Sequence, residues 1–596
     1  MKRILLICLS FLALSTYAAQ EVPLLSNIFA RKSISLNGKW NYIIDVQEIG
    51  YYNYRWKPMS HTFGDNAKAK SPSDLVEYDF DKSKTMDIPS DWNTQDPELK
   101  FYEGTVWFKK SFTYHPQTGK KAILYFGAVN YESVVYVNGK RVGKHVGGFT
   151  PFNFDVTDVL HDGENFVVVK VDNKRNADHV PTQIFDWWNY GGITRDVLLA
   201  EVDETYIEDY SLQLAKHNPR LINGWVKLNR PVEGKEITLS IPGLKIKRSF
   251  QTDANGMVYF NQKSRPVLWT PDHPKLYQVA FGNGSEVIHD EIGFRTIETK
   301  GKQILLNGKP ILLRGISIHE ERPFKQGRIH LASDADTLLS WAKELGCNYV
   351  RLAHYPHHEK AVREAERMGI MVWSEIPVYW TISWSNPETY QNAQRQLHDM
   401  IARDKNRCNI IIWSIANETP HSDARDTFLE NLAQYARSQD STRLISMAME
   451  VTSASNYHNV LHDHMNRFVD VVSFNEYIGW YRDVHDAAKM TWEIPYDKPV
   501  IISEFGGGAL QGYHGSADQR WTEEFQAEVY RQNLAMLSKI DGLSGLSPWI
   551  LVDFMSPRRP LPGIQDFFNR KGLISDQGKK KAAFYVLKDF YAHWKE

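Results

Sequence analysis

The chain has 596 residues, too many for one hydrophobic core, and that length points to three or four domains. Its 70 Lys and Arg nearly cancel 71 Asp and Glu, so no charge excess directs it to nucleic acid or to an anionic membrane. Aromatic residues make up 13%, with 18 Trp, a share that suits sugar-binding clefts as well as ordinary β-rich cores.

The first residues have the form of a secretory signal peptide, with cleavage expected after about residue 19. Lys2 and Arg3 give a basic start, Ile4 to Leu14 an apolar stretch, and Tyr17-Ala18-Ala19 a small-residue end. The apolar run is short for a transmembrane anchor, and Cys8 lacks the small residues that precede a lipidated cysteine. The expectation is export without a membrane anchor, to the periplasm of a Gram-negative host or to the extracellular space. Of the remaining cysteines, Cys347 and Cys408 each lie beside an apolar strand, which predicts two buried free thiols rather than a disulfide.

From about 20 to 203, short alternating segments bounded by turn residues (VWFKKSFTY, KAILYFG, SVVYVNGKRVG, NFVVVKVDN) predict an antiparallel sandwich, with a hairpin at Asn138-Gly139. From 204 to 298 a second run (YIEDYSLQLA, GWVKLNR, EITLSIP, LYQVAFG) has the length of one immunoglobulin-like sandwich, closed by the linking segment IGFRTIE. The pattern changes from 299 to 596. Eight apolar strands, ILLRGISIH, NYVRLAHY, IMVWSEIPV, IIIWSIANE, RLISMAME, VVSFNEYIGW, PVIISEF and LSPWILVDF, alternate with helical stretches. In one of these stretches Val362, Ala365 and Met368 recur at helical spacing before Gly369. Eight strand–helix units over this span predict a (β/α)8 TIM barrel.

A barrel gathers its chemistry at the C-terminal ends of its strands. Those ends carry His319, Arg351, His354, Glu375, Asn417, Glu418, Glu450, Asn475, Tyr477, Glu504 and Trp549. A single strand-end glutamate is as well explained by a structural salt bridge, but so many polar and aromatic groups at one end are not. Glu418 and Glu504 end the fourth and seventh strands. Two such carboxyls are what a retaining glycosidase needs, one giving a proton to the leaving oxygen and one attacking the anomeric carbon. Asn417 beside Glu418 can donate to the sugar hydroxyl next to the reacting carbon. The residues by themselves leave open which glutamate takes which role, because that depends on each carboxyl's surroundings.

The stretches DWWNYGGITRDVLL at 186–199, NGKPILLRGISIHEE at 307–321, RLAHYP at 351–356, WSIANE at 413–418 and SEFGG at 503–507 resemble glycoside hydrolase family 2. That family contains β-glucuronidases, β-galactosidases and β-mannosidases, and the resemblance covers nearly the whole mature chain. It implies the same domain order: a jelly-roll sandwich, an immunoglobulin-like sandwich, then the barrel. It also implies Glu418 as acid/base, Glu504 as nucleophile, and retention through a covalent glycosyl-enzyme.

Past the eighth strand, Asn569-Arg570-Lys571-Gly572 resembles the Asn-x-Lys signature with which the family's β-glucuronidases hold the sugar carboxylate. An ammonium and an amide suit a uronate, and a neutral hexose would leave the lysine unpaired. The bland alternative is a solvated basic loop, since Lys579, Lys580 and Lys581 follow closely. The resemblance further implies Asp186 reaching a sugar hydroxyl from the first sandwich. It places Asn475, Tyr477 and Tyr481 along the pocket, Trp549 as its floor, and His319 and His354 as hydrogen-bonding wall residues. Family β-galactosidases often hold Mg²⁺ or Na⁺, whereas β-glucuronidases do not need a metal; no all-oxygen ligand cluster stands out, and no metal or cofactor is expected.

Two departures stand out. The Arg often found four residues before the signature Asn is replaced by Gln565, with Arg558 and Arg559 upstream as candidates for its place. The connection after the third strand, YWTISWSNPETYQ, is short, which predicts an open mouth suited to oligosaccharide ends or bulky conjugates. The resemblance thus implies an exo-acting, retaining β-glucuronidase acting on small glucuronides or glucuronide-bearing oligosaccharides, possible as a homo-oligomeric dimer or tetramer. The alternatives are a β-galactosidase or β-galacturonidase of the same family, and a catalytically silent carbohydrate-binding protein.

Overall fold

The computed structural model describes residues 23–595; the expected signal peptide lies outside the described residues. Alternating burial along Thr85–Ile88, with two apolar residues facing in and two polar ones out, typifies the first sandwich. Its six-stranded antiparallel sheet runs Thr85–Ile88, Gly38–Ile44, Thr105–Tyr114, Gly163–Asp172, Glu132–Val137 and Lys140–Val146. A four-stranded sheet, Ser33–Ser35, Val197–Asp203, Lys120–Phe126 and Phe152–Asp155, covers it. Trp40, Trp92, Phe108 and Val169 fill the space between. Asn138 and Gly139 both take positive φ (49° and 79°), the backbone twist a two-residue hairpin between right-twisted strands requires.

The second sandwich sets three strands (Ile207–Ala215, Asn218–Leu228, Met257–Lys263) on four (Ile246–Gln251, Glu236–Ile241, Leu276–Gly282, Val287–Gly293). The linking segment is tied down by Arg295, which donates to the carbonyls of Cys408, Thr442 and Ile410 at the base of the third unit.

That unit is a parallel barrel. In chain order its strands are β1 (Leu313–Arg314 and Ser317–Ile318), β2 (Tyr349–Leu352), β3 (Met371–Glu375), β4 (Ile410–Asn417), β5 (Leu444–Met449), β6 (Val472–Asn475), β7 (Val500–Glu504) and β8 (Leu543–Leu546). The first half of β1 pairs with β8 and the second half with β2, and this closes the ring. The break falls at Gly315, where a Cβ would lie 2.2 Å from the Tyr349 ring and 2.6 Å from the Leu546 carbonyl oxygen. Every residue of β4 and β7 is buried, as expected for strands covered on both faces. Among the described residues, six α-helices pack outside: α1 (Ala332–Leu345), α2 (Glu359–Met368), α3 (Pro387–Asp404), α4 (Asp423–Gln439), α5 (Glu523–Leu537) and α6 (Ala582–His593). Their ends carry local signals. Ser422 and Thr522 cap α4 and α5 by accepting from the amides of Arg425 and Phe525, and Gly369 ends α2 with φ 73°.

The sequence reading needs two corrections here. The connections after β5 and β6 hold short 3₁₀ turns, His464–Arg467 and Val484–Lys489, rather than α-helices, so the strand–helix alternation is not complete. The eighth strand is Leu543–Leu546, not LSPWILVDF. Gly545 disguised it as a turn, and the apolar run that follows, where Pro548 has no N–H for a ladder, is irregular backbone that stays hydrogen-bonded between β7 and β1, Trp549 N to the Phe505 carbonyl and Leu551 N to the Ser317 carbonyl. Cys347 and Cys408 are both free and buried, as expected.

The base of the barrel is plugged. Trp269, Ile297, Ile304 and Leu306 pack with Leu313, Tyr349, Met371 and Trp373, leaving the C-terminal end of the strands as the open one. The first sandwich closes over that end. Phe149, Phe185 and Trp187 form one buried cluster with Ala353, Tyr355, Tyr379, Trp549 and Phe554 of the barrel. Burying one Trp removes roughly 200 Å² from water, worth about 5 kcal/mol, so this loop is docked rather than loosely apposed. An ion pair reinforces it: buried Arg195 donates to both oxygens of Glu320 at 3.1 Å and to the carbonyls of Phe149 and Pro356. Removing one partner of such a pair strands the other charge. Arg195→Met should therefore destabilise the sandwich–barrel contact by about 3–5 kcal/mol. Urea denaturation of this variant is expected to show an earlier transition, and a midpoint equal to the wild type would contradict it.

Candidate active site

Arg351, at the end of β2, has no exposed side-chain surface and sits at the centre of the open end of the barrel. Its guanidinium donates to Glu375 on β3 (Nη2 to Oε1, 3.0 Å; Nε to Oε2, 3.2 Å), to Asn417 Oδ1 on β4 (2.8 Å) and to Glu504 Oε1 on β7 (2.6 Å). Burial alone would lower its pKa, but the charges of Glu375 and Glu504 hold it above the ordinary arginine value. Burial would raise Glu375, yet Arg351 and then His354 bring it down to about 2. Glu375 also accepts from His354 Nδ1 (2.8 Å) and Trp373 Nε1 (2.7 Å), so its oxygens are fully occupied.

Arginine can only donate, so the Asn417 atom facing it must be the amide oxygen. That oxygen accepts a second bond from Asn475 Nδ2 (3.2 Å), and Asn475 is locked by Ser503 Oγ on its own oxygen (2.7 Å). The Asn417 amide nitrogen therefore points at Glu418, 3.4 Å from Oε2.

The two strand-end glutamates have different surroundings. Glu504 accepts from Arg351 on one oxygen and from the Tyr477 hydroxyl on the other (2.5 Å). Burial and the adjacent Glu504 keep the Tyr477 phenol well above its usual value, so it remains a donor. Among the described residues no guanidinium reaches Glu418. Its Oε2 accepts from the Trp380 indole at 2.9 Å, and its backbone stands in the left-handed region at φ 48°. Burial, and next the negative charge of Glu504, raise the Glu418 carboxyl above the ordinary carboxylate range.

Asn569 and Lys571 reach the same cleft by a hairpin. Phe554–Met555 pairs antiparallel with Phe568–Asn569, and the chain between them carries Arg558 and Arg559. Arg559 pairs with Asp186 from the first sandwich, which also accepts from Ser556 Oγ (2.5 Å) and lies 3.4 Å from Asn569 Nδ2. The Asn569 oxygen accepts the Lys571 amide at 3.2 Å. Gly572 is required next, because a Cβ there would lie 2.1 Å from the Asp553 nitrogen. The Lys571 ammonium faces the rings of Trp480 (5.1 Å), Tyr477 (5.2 Å) and Tyr481 (5.5 Å), and among the described residues no carboxylate pairs with it. Burial, and then the charge of Arg559, lower it to about 7. The basic-loop alternative does not hold for Lys581, which is fully buried on Asp553.

Other sequence-stretch candidates divide. Trp549 is buried and stacks on His354, ring centres 4.8 Å apart and planes at 24°. His319 is packed edge-on to Trp549, accepts or donates through Nδ1 at the Tyr355 hydroxyl (3.1 Å), and has no partner for Nε2. Burial holds it well below its usual pKa. Tyr481 stands at the rim, 66% exposed, edge-on to Tyr477. Glu450 is exposed after β5 and joins none of this network. Sequence reasoning missed Trp380, Trp187 and Trp480. Trp187 lay within the quoted DWWNY, and Trp380 follows β3 by five residues, but neither carries a mark distinguishing it from a core tryptophan. Among the described residues, no group of three or more His, Cys, Asp or Glu is gathered as a metal would require.

The arrangement thus offers a carboxyl biased toward holding its proton, a second carboxyl ringed by donors, and a cationic pocket beside them. Comparison with known proteins agrees with this chemistry. The family description "Glycosyl hydrolases family 2, TIM barrel domain" matches residues 297–595, and "Glycosyl hydrolases family 2, sugar binding domain" matches residues 34–202. The β-glucuronidase of Paenibacillus borealis is 27% identical over 84% of this chain and 90% of its own. That of Canis lupus familiaris is 28% identical over 86% and 85%. A β-glucuronidase structure from an uncultured Clostridium sp. superposes with a TM-score of 0.80 at 27% identity, covering 95% of this chain and 98% of that one. A β-galacturonidase structure from Eisenbergiella tayi shares the fold, with a TM-score of 0.78 at 24% identity over 95% and 98%. The chain belongs to glycosyl hydrolase family 2, and it is a glycoside hydrolase.

Proposed function

We propose that the enzyme is an exo-acting, retaining β-glucuronidase, and the observation that carries this reading is the buried, unpaired Lys571 beside Arg559 and Asn569 in the cleft of Glu418 and Glu504. Glu504 attacks the anomeric carbon as the carboxylate, with Arg351 and Tyr477 fixing its orientation. Glu418, whose raised pKa favours the protonated form, gives its proton to the leaving oxygen. Once the glycosyl-enzyme has formed, the neighbouring negative charge is gone, Glu418 ionises more easily, and it takes a proton from the attacking water. Asn417 Nδ2 serves the hydroxyl adjacent to the reacting carbon, and the uronate carboxylate meets Lys571, Arg559 and Asn569. The names of the relatives and the pattern of the first nineteen residues support β-glucuronide substrates and export, respectively. The short connection of residues 376–386 supports leaving groups larger than a simple aryl ring.

A second reading is β-galacturonidase. Glucuronate and galacturonate differ at C4 and share the C6 carboxylate, so the Lys571 pocket suits both.

Purified enzyme offered 4-nitrophenyl β-D-glucuronide, β-D-galacturonide and β-D-galactoside should prefer the glucuronide; a larger kcat/KM on either of the others would replace the reading. Glu504→Gln should abolish turnover yet keep ligand-induced thermal stabilisation, whereas turnover near wild type would sink the mechanism. Lys571→Ala should lose roughly 10- to 100-fold in kcat/KM on the glucuronide, the value of one charge-assisted hydrogen bond, and lose less on the galactoside. Equal losses would argue against a carboxylate clamp. The Lys571 ammonium is present below about pH 7 and lost above it. KM for the glucuronide should therefore rise as pH passes upward through about 7, and a KM flat from pH 6 to 9 would exclude Lys571 as the clamp.

A further inference from the structure

The rim of the cleft carries two exposed guanidinium groups that the reading above leaves unused. Arg558 lies over the Trp380 ring, 5.0 Å from its centre. Arg520 lies over the Trp480 ring at 4.3 Å, and Trp480 is also one wall around Lys571. Both arginines are exposed, and among the described residues neither pairs with a carboxylate. This is a local excess on a chain whose formal net charge is −1.

Trp380 connects this rim to the reaction. Its indole donates to Glu418 Oε2 at 2.9 Å, and its backbone amide donates to the Asn417 carbonyl at 3.0 Å. The proton that Glu418 gives goes to the leaving oxygen, so the first unit of the leaving group must lie beside Glu418. Trp380 is the aromatic surface fixed there, and Arg558 is the charge bordering it. The flexible Arg558 stem lets its head move from the ring face to an incoming anion, and a guanidinium meets a carboxylate or sulfate through paired N–H bonds.

We infer that Trp380 and Arg558 form the first leaving-group subsite, and that it favours a sugar bearing an anionic substituent, carboxylate or sulfate, over a neutral one. This deepens the β-glucuronidase reading and rests on it. The substrate class is then the non-reducing end of an acidic oligosaccharide whose terminal residue is a β-linked uronate.

The test uses two glucuronyl-N-acetylhexosamine disaccharides that differ by one sulfate on the hexosamine. Wild type should show a kcat/KM about fivefold higher on the sulfated one at low salt, the scale of a partly exposed ion pair, and the ratio should shrink in 0.5 M NaCl. Arg558→Gln should bring the ratio to about one through KM, and Arg558→Lys should keep part of it. The unsulfated disaccharide is the internal reference, so a poorly folded variant lowers both rates and leaves the ratio readable. A wild-type ratio of one, or an unchanged ratio in Arg558→Gln, overturns the subsite. Failure of wild type to cleave 4-nitrophenyl β-D-glucuronide at all overturns the underlying reading instead.

Discussion

Arg351 is the residue on which the site depends. One guanidinium, stripped of water, ties the ends of β2, β3, β4 and β7 together through Glu375, Asn417 and Glu504. Taking such an ion out of water costs several kcal/mol, which is recovered only when every N–H finds a partner of good geometry. The same requirement spaces the strand ends. Asn417 is turned by the arginine so that its amide nitrogen faces Glu418, and one oxygen of Glu504 is held by the arginine while the other is free for Tyr477. The positive charge of Arg351 is already shared by Glu375 and Glu504. Glu418 is the third carboxyl in the same space and, among the described residues, has no guanidinium of its own, which is why its pKa moves upward rather than down. The different surroundings of two chemically identical glutamates thus follow from which strand end Arg351 can reach.

The barrel does not build this cleft alone. Trp187 from the first sandwich sits among His319, His354, Tyr355 and Tyr379, ring centres 5.1–5.9 Å away, and Asp186 beside it engages the barrel's Ser556, Arg559 and Asn569. The backbone amide of Trp188 donates to the Met555 carbonyl at 3.0 Å. The sandwich loop and the hairpin after β8 therefore order each other, so the position of Arg559 depends on a residue some 370 positions earlier. The sandwich contributes a wall of the site, which accounts for its burial against the barrel by aromatic rings and a paired Arg195 rather than by a wet, polar contact.

Local sequence carried the three-unit architecture, most barrel strands and the two glutamates, because buried parallel strands are continuous apolar runs and their last residues are fixed in direction by the pleat. The seventh strand shows this most clearly, ending on Glu504, while the fourth ends on Asn417 with Glu418 turned into the left-handed region just beyond it. The eighth strand was misplaced because Gly545 imitates a turn, while the longer apolar run after it looks like a strand but is irregular backbone bonded to the Phe505, Ser317 and Lys571 carbonyls. Trp380 was not legible as a site residue by spacing, and Arg559 was legible only as one of two candidates, with Arg558, for the missing arginine. Trp380 earns its place through an indole bond to a residue on the next strand, and Arg559 arrives from the opposite arm of a hairpin ten residues from Asn569. Contacts of that kind depend on three-dimensional closure, which composition and periodicity do not record. The high tryptophan content likewise divides between cores (Trp40, Trp92, Trp107) and the cleft (Trp380, Trp480, Trp549).

Lys571 and Lys581 make the argument for selectivity by contrast. Both are buried, both are lowered from the usual lysine pKa by that burial, and they are ten residues apart. Lys581 donates to both oxygens of Asp553 and to the carbonyls of Ala509 and Arg570, which is how a fold accommodates a buried ammonium. Among the described residues Lys571 has ring faces against it and no paired carboxylate, a weaker compensation that leaves its charge poorly solvated. Asp553 also receives the Gly572 amide and the Arg570 guanidinium, so the backbone on either side of Lys571 is anchored to a buried carboxylate. An under-solvated cation gains most from an anion placed against it and gains little from a hydroxymethyl group. In the proposed β-glucuronidase reading, preference for a uronic acid over a neutral hexose rests on the unpaired state of Lys571 in the free enzyme.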